Sequence, residues 1–198
     1  VELIYRNRVE EEAEETVKLK LGRDKVVYSG KWLKVIERKF QNKITGHKGT
    51  WEVVERPSRR AIALVGAVTP ENELLLTKNY RVPLKKWTIE MCAGMIEESD
   101  ASEEAAARRE LLEEMGYEVG EMKLLMRGPF NAGMQNDQLV IFLGWDAKKV
   151  QEPQLEGGED IKVVKVPIKR LMPFLLRPRK NLLVDVKIFG LIPFLTRR

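Results

Sequence analysis

The sequence predicts an α+β fold, with a mixed β-sheet sandwiched between helices and a small N-terminal antiparallel β domain. Three observations carry this expectation. The stretch up to Arg56 is rich in strand-forming residues joined by turn signals. From Ala61 onward, apolar strand-like runs recur on both sides of one long helix-forming segment, Glu103–Met115. The resulting order, β…β-α-β…β-α, calls for strands that return to one sheet around the helix. Residues 1–57 are therefore expected to form the N-terminal β domain and residues 58–198 the main domain.

Taken in order, a charged leader precedes "KVVYSGKWLKVIERKF", whose Val, Tyr, Trp, Ile and Phe favour strands, punctuated by Ser29-Gly30. The polar "QNKITGHKG" reads as a hairpin connection into "TWEVVE". "RPSRR", Arg56 to Arg60, reads as a link. "AIALVGAV" and "ELLLTKNY" are strands joined by the turn-prone "TPENE", and "WTIEM" is a short strand followed by a loop, "CAGMIEESDAS". Glu103–Met115 lacks Gly and Pro, stops at Gly116, and is capped by Asp100 or Ser102. Strands over "MKLLMR", "QLVIFLGW" and "IKVVKV" follow. Two helices close the chain, one after Pro167 and one around Leu182–Leu195.

With 198 residues, 43% hydrophobic and 33% charged, the chain has the composition of a folded protein with room for a full core. No run approaches the ~18 apolar residues of a membrane span, the start lacks a secretory plan, and the single Cys92 cannot form an internal disulfide. A cytoplasmic protein without membrane contact is expected. The net charge of +5 raises the question of nucleic acid. Its basic residues are spread out, with clusters at Arg56–Arg60, Arg177–Lys180 and Arg197–Arg198, and no nucleic-acid motif accompanies them. A nucleic-acid partner is therefore not expected, and a mildly positive field suits a small anionic substrate.

The chemistry is concentrated in "RELLEEMGY", Arg109 to Tyr117. Glu110, Glu113 and Glu114 stand at i, i+3 and i+4 and project from one side of a helix. Close like charges repel by ~4 kcal/mol per pair at an effective dielectric of ~20, so a sheltered acidic face needs a compensating charge. Hard divalent cations are suited to it. Taken alone, the three glutamates fit a solvated acidic face more simply; the surrounding residues reverse that preference.

With "CAG" upstream, the segment resembles the Nudix box, G-x5-E-x7-R-E-U-x-E-E-x-G-U, where U is bulky and apolar. Gly94, Arg109, Glu110, Leu111, Glu113, Glu114 and Gly116 match, with Tyr117 at the final position. One departure stands out: Asp100 replaces the first Glu, and eight residues rather than seven separate it from Arg109. Its role is open, with Glu97 and Glu98 as substitutes, and Arg109 is expected to orient a glutamate or the loop.

"NYRVP" before "IEMCAGMIEE", together with "GKWLKV" and "TWEVVER", resembles the ADP-ribose (ADP-sugar) pyrophosphatase branch, over most of Gly30–Pro167. The resemblance implies a Nudix fold and a homodimer with exchanged N-terminal β domains, in which Trp32 and Trp51 of different subunits sandwich adenine. Glu52 would accept from the adenine amino group, and Arg81 would hold phosphate oxygens, although its fork suits a buried carboxylate equally. Read alone, either tryptophan fits a core better than a stacking platform. Glu110, Glu113, Glu114 and the Ala93 carbonyl would hold Mg²⁺, with Mn²⁺ a possible substitute. Glu159, or next Glu156, would position the attacking water, although "LEGGEDIKVV" also reads as an ordinary acidic turn. His47 reads as surface and Cys92 as a packed small residue.

The implied reaction is hydrolysis of ADP-ribose or a related ADP-sugar to AMP and a sugar phosphate. The alternatives are another nucleoside diphosphate sugar, such as GDP-mannose, and a non-catalytic ADP-ribose-sensing module.

Overall fold

The computed structural model describes residues 17–56 and 61–195. The charged leader, the link beyond Arg56 and the Arg197–Arg198 cluster lie outside the described residues. The chain packs as two compact units: the described residues of Val1–Pro57 together with Gly133–Asn136, and those of Ser58–Ala132 and Asp137–Arg198.

The first unit is an antiparallel sheet of β1 (Leu19–Ser29), β2 (Lys34–Asn42) and β3 (Lys48–Glu55), in that order. The Asn42 side chain accepts from the Ile44 and Thr45 N–H groups at 2.9 and 3.0 Å, which closes the expected β2–β3 hairpin. β1 begins six residues before the Lys25 expected from composition. Lys20 and Leu21 of this early part pair in register with Gln41 and Phe40, and a bulge separates them from Asp24. Pairing partners, which local propensity does not see, extend the strand.

The second unit is built on a mixed sheet. Its strands are β4 (Ile62–Val68), β5 (Glu73–Arg81), β6 (Lys86–Glu90), β7 (Cys92–Met95), β9 (Met122–Pro129), β10 (Gln138–Gly144), β12 (Ile161–Pro167) and β13 (Leu182–Val184). The order is β13-β6-β5-β4-β10-β9, with β12 pairing β5 and β7 pairing β4. β10 runs parallel to β4, and β13 parallel to β6. Two residues each, β8 (Tyr117–Glu118) and β11 (Lys148–Lys149), form a separate ribbon that the sequence reading did not include.

A helix layer lies on each face of the sheet. Helix α1 (Glu103–Met115) buries Ala106, Ala107, Leu111 and Met115 against Ala63, Val65, Leu75, Val140 and Phe142. On the other face, Leu171 and Leu175 of α2 (Leu171–Leu176), with Ile188 and Leu191, pack on Leu64, Leu74, Leu76 and Ile89. Each fully buried large apolar side chain contributes ~1.5–3 kcal/mol. The expected fold class, a mixed sheet between helices with a small N-terminal antiparallel sheet, is the one observed.

Two expectations are corrected. The segment read as the loop "CAGMIEESDAS" opens as a strand, because Cys92–Met95 pairs antiparallel with β4, Leu64 facing Ala93. The terminal helix expected around Leu182–Leu195 is instead β13, a 3-10 stretch Val186–Leu191 and one α-turn, α3 (Ile192–Leu195). β13 pairs along β6, and the Asp185 carboxylate accepts from the Lys187 N–H, ending the extended stretch.

Candidate active site

Helix α1 starts where Ser102 accepts from the Ala105 N–H at 3.0 Å, so Ser102 rather than Asp100 is the cap. It ends at Gly116, whose φ of 75° is readily adopted only without a side chain, and whose N–H reaches the Leu112 carbonyl. A Cβ at Gly116 would also meet the Gln151 carbonyl. The following chain folds back there. Val150 and Gln151 N–H groups donate to the Gly116 carbonyl, and Gln154 N–H donates to the Glu113 carbonyl at 2.7 Å. Carbonyls at the helix end, which lack intrahelical partners, are satisfied by this strap.

The three glutamates differ in environment. Glu114 is buried, Glu110 nearly so, and Glu113 half-exposed. One Glu114 carboxylate oxygen accepts from the Ala93 N–H at 3.2 Å, and the carboxylate also meets the Cys92 thiol. Burial pushes the Glu114 carboxyl up to about 7; the hydrogen bonds from Cys92 and Ala93 oppose the rise, and the charges of Glu110 and Glu159 add to it. Burial likewise raises Glu110, against the pull of Arg109. The Glu110 carboxyl lies over Gly94, where any Cβ would overlap it. The motif glycine is thus required for the helix carboxylate to approach the β7 backbone.

Arg109 organises this face. Its Nε and Nη2 donate to the two Asp100 oxygens at 3.0 Å each, its Nη1 to Glu110 at 2.8 Å and Glu113 at 2.9 Å, and its Nη2 also to the Met95 carbonyl at 3.1 Å. Asp100 also accepts from the Glu97 N–H at 2.8 Å, so the Glu97–Asp100 turn absorbs the extra loop residue. Asp100, rather than Glu97 or Glu98, is therefore the acidic partner of Arg109. In the loop before β12, Glu156 N–H donates to the Glu159 carboxylate at 2.9 Å, and the Glu159 charge is felt at Glu110 and Glu114.

These donors suit a hard divalent cation. They are carboxylate oxygens along one helix side, two of them pushed toward neutrality by burial that a cation would offset. Among the described residues, no three acidic, His or Cys side chains are placed to hold a metal ion as they stand. Arg109 draws Glu110 and Glu113 to itself, and Ala93 and Cys92 hold Glu114, so ligation requires these carboxylates to turn from their present partners.

Arg81 is placed by the alternative its fork left open. Its Nε lies 3.0 Å from both Glu90 oxygens and its Nη2 2.5 Å from one, and the Thr88 hydroxyl also donates to Glu90. Buried Glu90 was not among the candidate residues, although it stands in "IEMCAG"; its pairing with Arg81 depends on the β5–β6 hairpin register. His47 is exposed in its turn, and Cys92 is fully buried, its thiol raised by burial.

Trp32, Trp51 and Glu52 belong to the first unit. Trp32 is 66% exposed, with the Lys31 ammonium 4.6 Å from its ring, and Trp51 is 52% exposed, so neither is a core residue. The Trp51 ring N–H donates to the Gly133 carbonyl at 2.8 Å. Exposed Glu52 faces Glu37 across the sheet, and both line an open cleft with Thr50 and Trp51.

The family model of the NUDIX domain matches residues 57–185. The chain is 30% identical to the ADP-sugar pyrophosphatase of Mus musculus over 182 residues, covering 84% of this chain and 83% of that protein. It is 29% identical to the ADP-ribose pyrophosphatase of Bacillus subtilis over 119 residues, 60% and 62% of the respective chains. A solved ADP compounds hydrolase shares the fold, with a TM-score of 0.76 at 19% identity over 92% of this chain and 94% of that one. Among the described residues no helix is long and apolar enough to cross a membrane.

Proposed function

The chain belongs to the Nudix family of hydrolases, and from that premise we propose that it hydrolyses the diphosphate of ADP-ribose or a related ADP-sugar, releasing AMP and a sugar phosphate. The observation that carries this is the buried carboxylate pair, Glu110 and Glu114, held against Ala93 and Gly94 on a matched family segment. The substrate class is supported by relatives named for ADP-sugar and ADP-ribose.

Glu110, Glu113, Glu114 and the Ala93 carbonyl are the groups that would hold Mg²⁺, which when bound neutralises diphosphate charge and polarises water for attack. Arg109 gathers Glu110 and Glu113 on this face by its hydrogen bonds, and its charge opposes the rise that burial imposes on Glu110. Glu159 orients the attacking water and accepts its proton, with Glu156 fixing the loop through its N–H. Arg81 takes phosphate oxygens while its Nε side stays with Glu90. Trp32 and Trp51 stack on the adenine and Glu52 accepts from its amino group, both tryptophans offering exposed ring faces. A homodimer with exchanged N-terminal units, acting in the cytoplasm, completes the reading.

A panel of nucleoside diphosphate sugars with Mg²⁺, scored by nucleoside monophosphate release, tests the substrate. ADP-ribose is expected to exceed GDP-mannose at least tenfold in kcat/KM, a margin of about 1.4 kcal/mol. The reverse ranking overturns the substrate, and no turnover of any member overturns the enzyme reading.

A further inference from the structure

We infer that the Gly133–Asn136 segment is a positioning element for base recognition, acting on the orientation of the Trp51 ring. This rests on the proposal that Trp51 is a stacking platform. A half-exposed indole on a strand is not fixed by packing, yet a stacking surface works best when its plane is set before the base arrives.

Several contacts set that plane. The Trp51 ring N–H is latched to the Gly133 carbonyl at 2.8 Å. Val54 N–H donates to the Met134 carbonyl at 2.8 Å, and Val54 forms a parallel bridge with Gln135. The Asn136 amide donates to Glu55 at 3.0 Å. Glu55 is buried and lies 3.6 Å from Arg38, which is both the cross-strand partner of Trp51 and a bidentate partner of Asp24 at 2.8 and 2.7 Å. Phe40, whose ring lies over Gly49, braces the indole with its centroid 6.4 Å away at an angle of 58°. The latch is therefore clamped on β3 beyond the tryptophan, through Asn136 and the Val54 backbone. In sequence, the segment is carried between β9 and β10, not by the N-terminal strands it grips.

The test compares steady-state kinetics and melting of wild type, Trp51→Phe, Trp51→Ala and Asn136→Ala with ADP-ribose and Mg²⁺. Trp51→Phe keeps an aromatic face, smaller by one ring, and loses the ring N–H; Asn136→Ala loosens the clamp, keeps the whole indole and touches no part of the proposed site. Each is expected to raise KM about three- to tenfold, the scale of ordering one side chain, while kcat changes by less than about twofold. Trp51→Ala is expected to raise KM further. If Trp51→Ala raises KM but Trp51→Phe and Asn136→Ala do not, the platform stands and the positioning role is wrong. An Asn136→Ala protein with a lowered melting point and unchanged KM also overturns it, because the clamp is then structural. Wild-type KM in Trp51→Ala instead removes the platform itself, and the inference with it.

Discussion

β4 and β1 are both strands, but their surroundings are opposite. β4 lies between β5, β7 and β10, with apolar residues packed on both faces, and Ala63–Val68 are buried. β1 is an edge of three strands, and all eleven of its residues are exposed, including Leu19, Leu21, Val26, Val27 and Tyr28. The unit with the carboxylates is closed by its own core. The N-terminal unit leaves apolar surface and two tryptophans uncovered. The difference separates two kinds of candidate residue: the buried Glu114, and the accessible Trp32 and Trp51.

The strongest challenge to this division is Glu114→Gln. The amide fits the same space, but it is a poorer cation ligand, so kcat is expected to fall at least a hundredfold, about 3 kcal/mol, with the fold intact. Retention of a tenth of the activity would take Glu114 out of the chemistry.

Burial also gives Glu114 a pH signature in the presence of a chelator. Its carboxyl is held at about 7 in the folded chain against an ordinary 4.5, so the folded state keeps a proton that the unfolded state releases. Stability from this group is complete below 4.5 and is lost as pH rises to about 7, by up to about 3 kcal/mol. Melting curves of wild type and Glu114→Gln in chelator should therefore diverge across this window. Parallel curves would mean that burial does not perturb the group. Cation affinity should rise over the same range as the carboxylate ionises.

Glu159→Gln is expected to lower kcat about tenfold with little change in KM, since a group that orients water acts mainly in the transition state. A larger loss from Glu156→Gln would reverse the assignment of the two. The smallest effect falls on the exposed side: Trp32→Ala should change stability by less than about 0.5 kcal/mol while weakening substrate binding. A core tryptophan would cost ~3–5 kcal/mol on truncation, so calorimetry distinguishes the two cases.

What the sequence revealed follows from how local each signal is. Helix α1 could be read to the residue, because Ser102, the Ala- and Leu-rich interior and Gly116 all act within a turn of one another. That Glu110, Glu113 and Glu114 share one helix side followed from spacing, but reading them as a cation site needed the surrounding motif residues; the Asp100 departure was visible, and its pairing with Arg109 needed the folded loop. Cys92–Met95 read as loop because its strand character comes from β4, some thirty residues away. Glu90 was missed for the same reason: only the hairpin register brings it to Arg81. The insertion of Gly133–Asn136 into the N-terminal unit has no local signature, since its main-chain and side-chain contacts all run to a strand distant in sequence.

The strap from Val150 to Gln154 has a consequence for timing. The Val150, Gln151 and Gln154 amides end on the carbonyls of Gly116, just past α1, and Glu113, so they can exchange with solvent deuterium only when the last turn of α1 opens. In a segment without regular secondary structure these amides should be slow, sharing one opening event with the helix end. Gly157 and Gly158, beyond the strap, are exposed, with open space where a Cβ would lie, so their amides should exchange quickly. The loop that carries Glu159 is thus rooted at the end of α1, and its base keeps step with the helix.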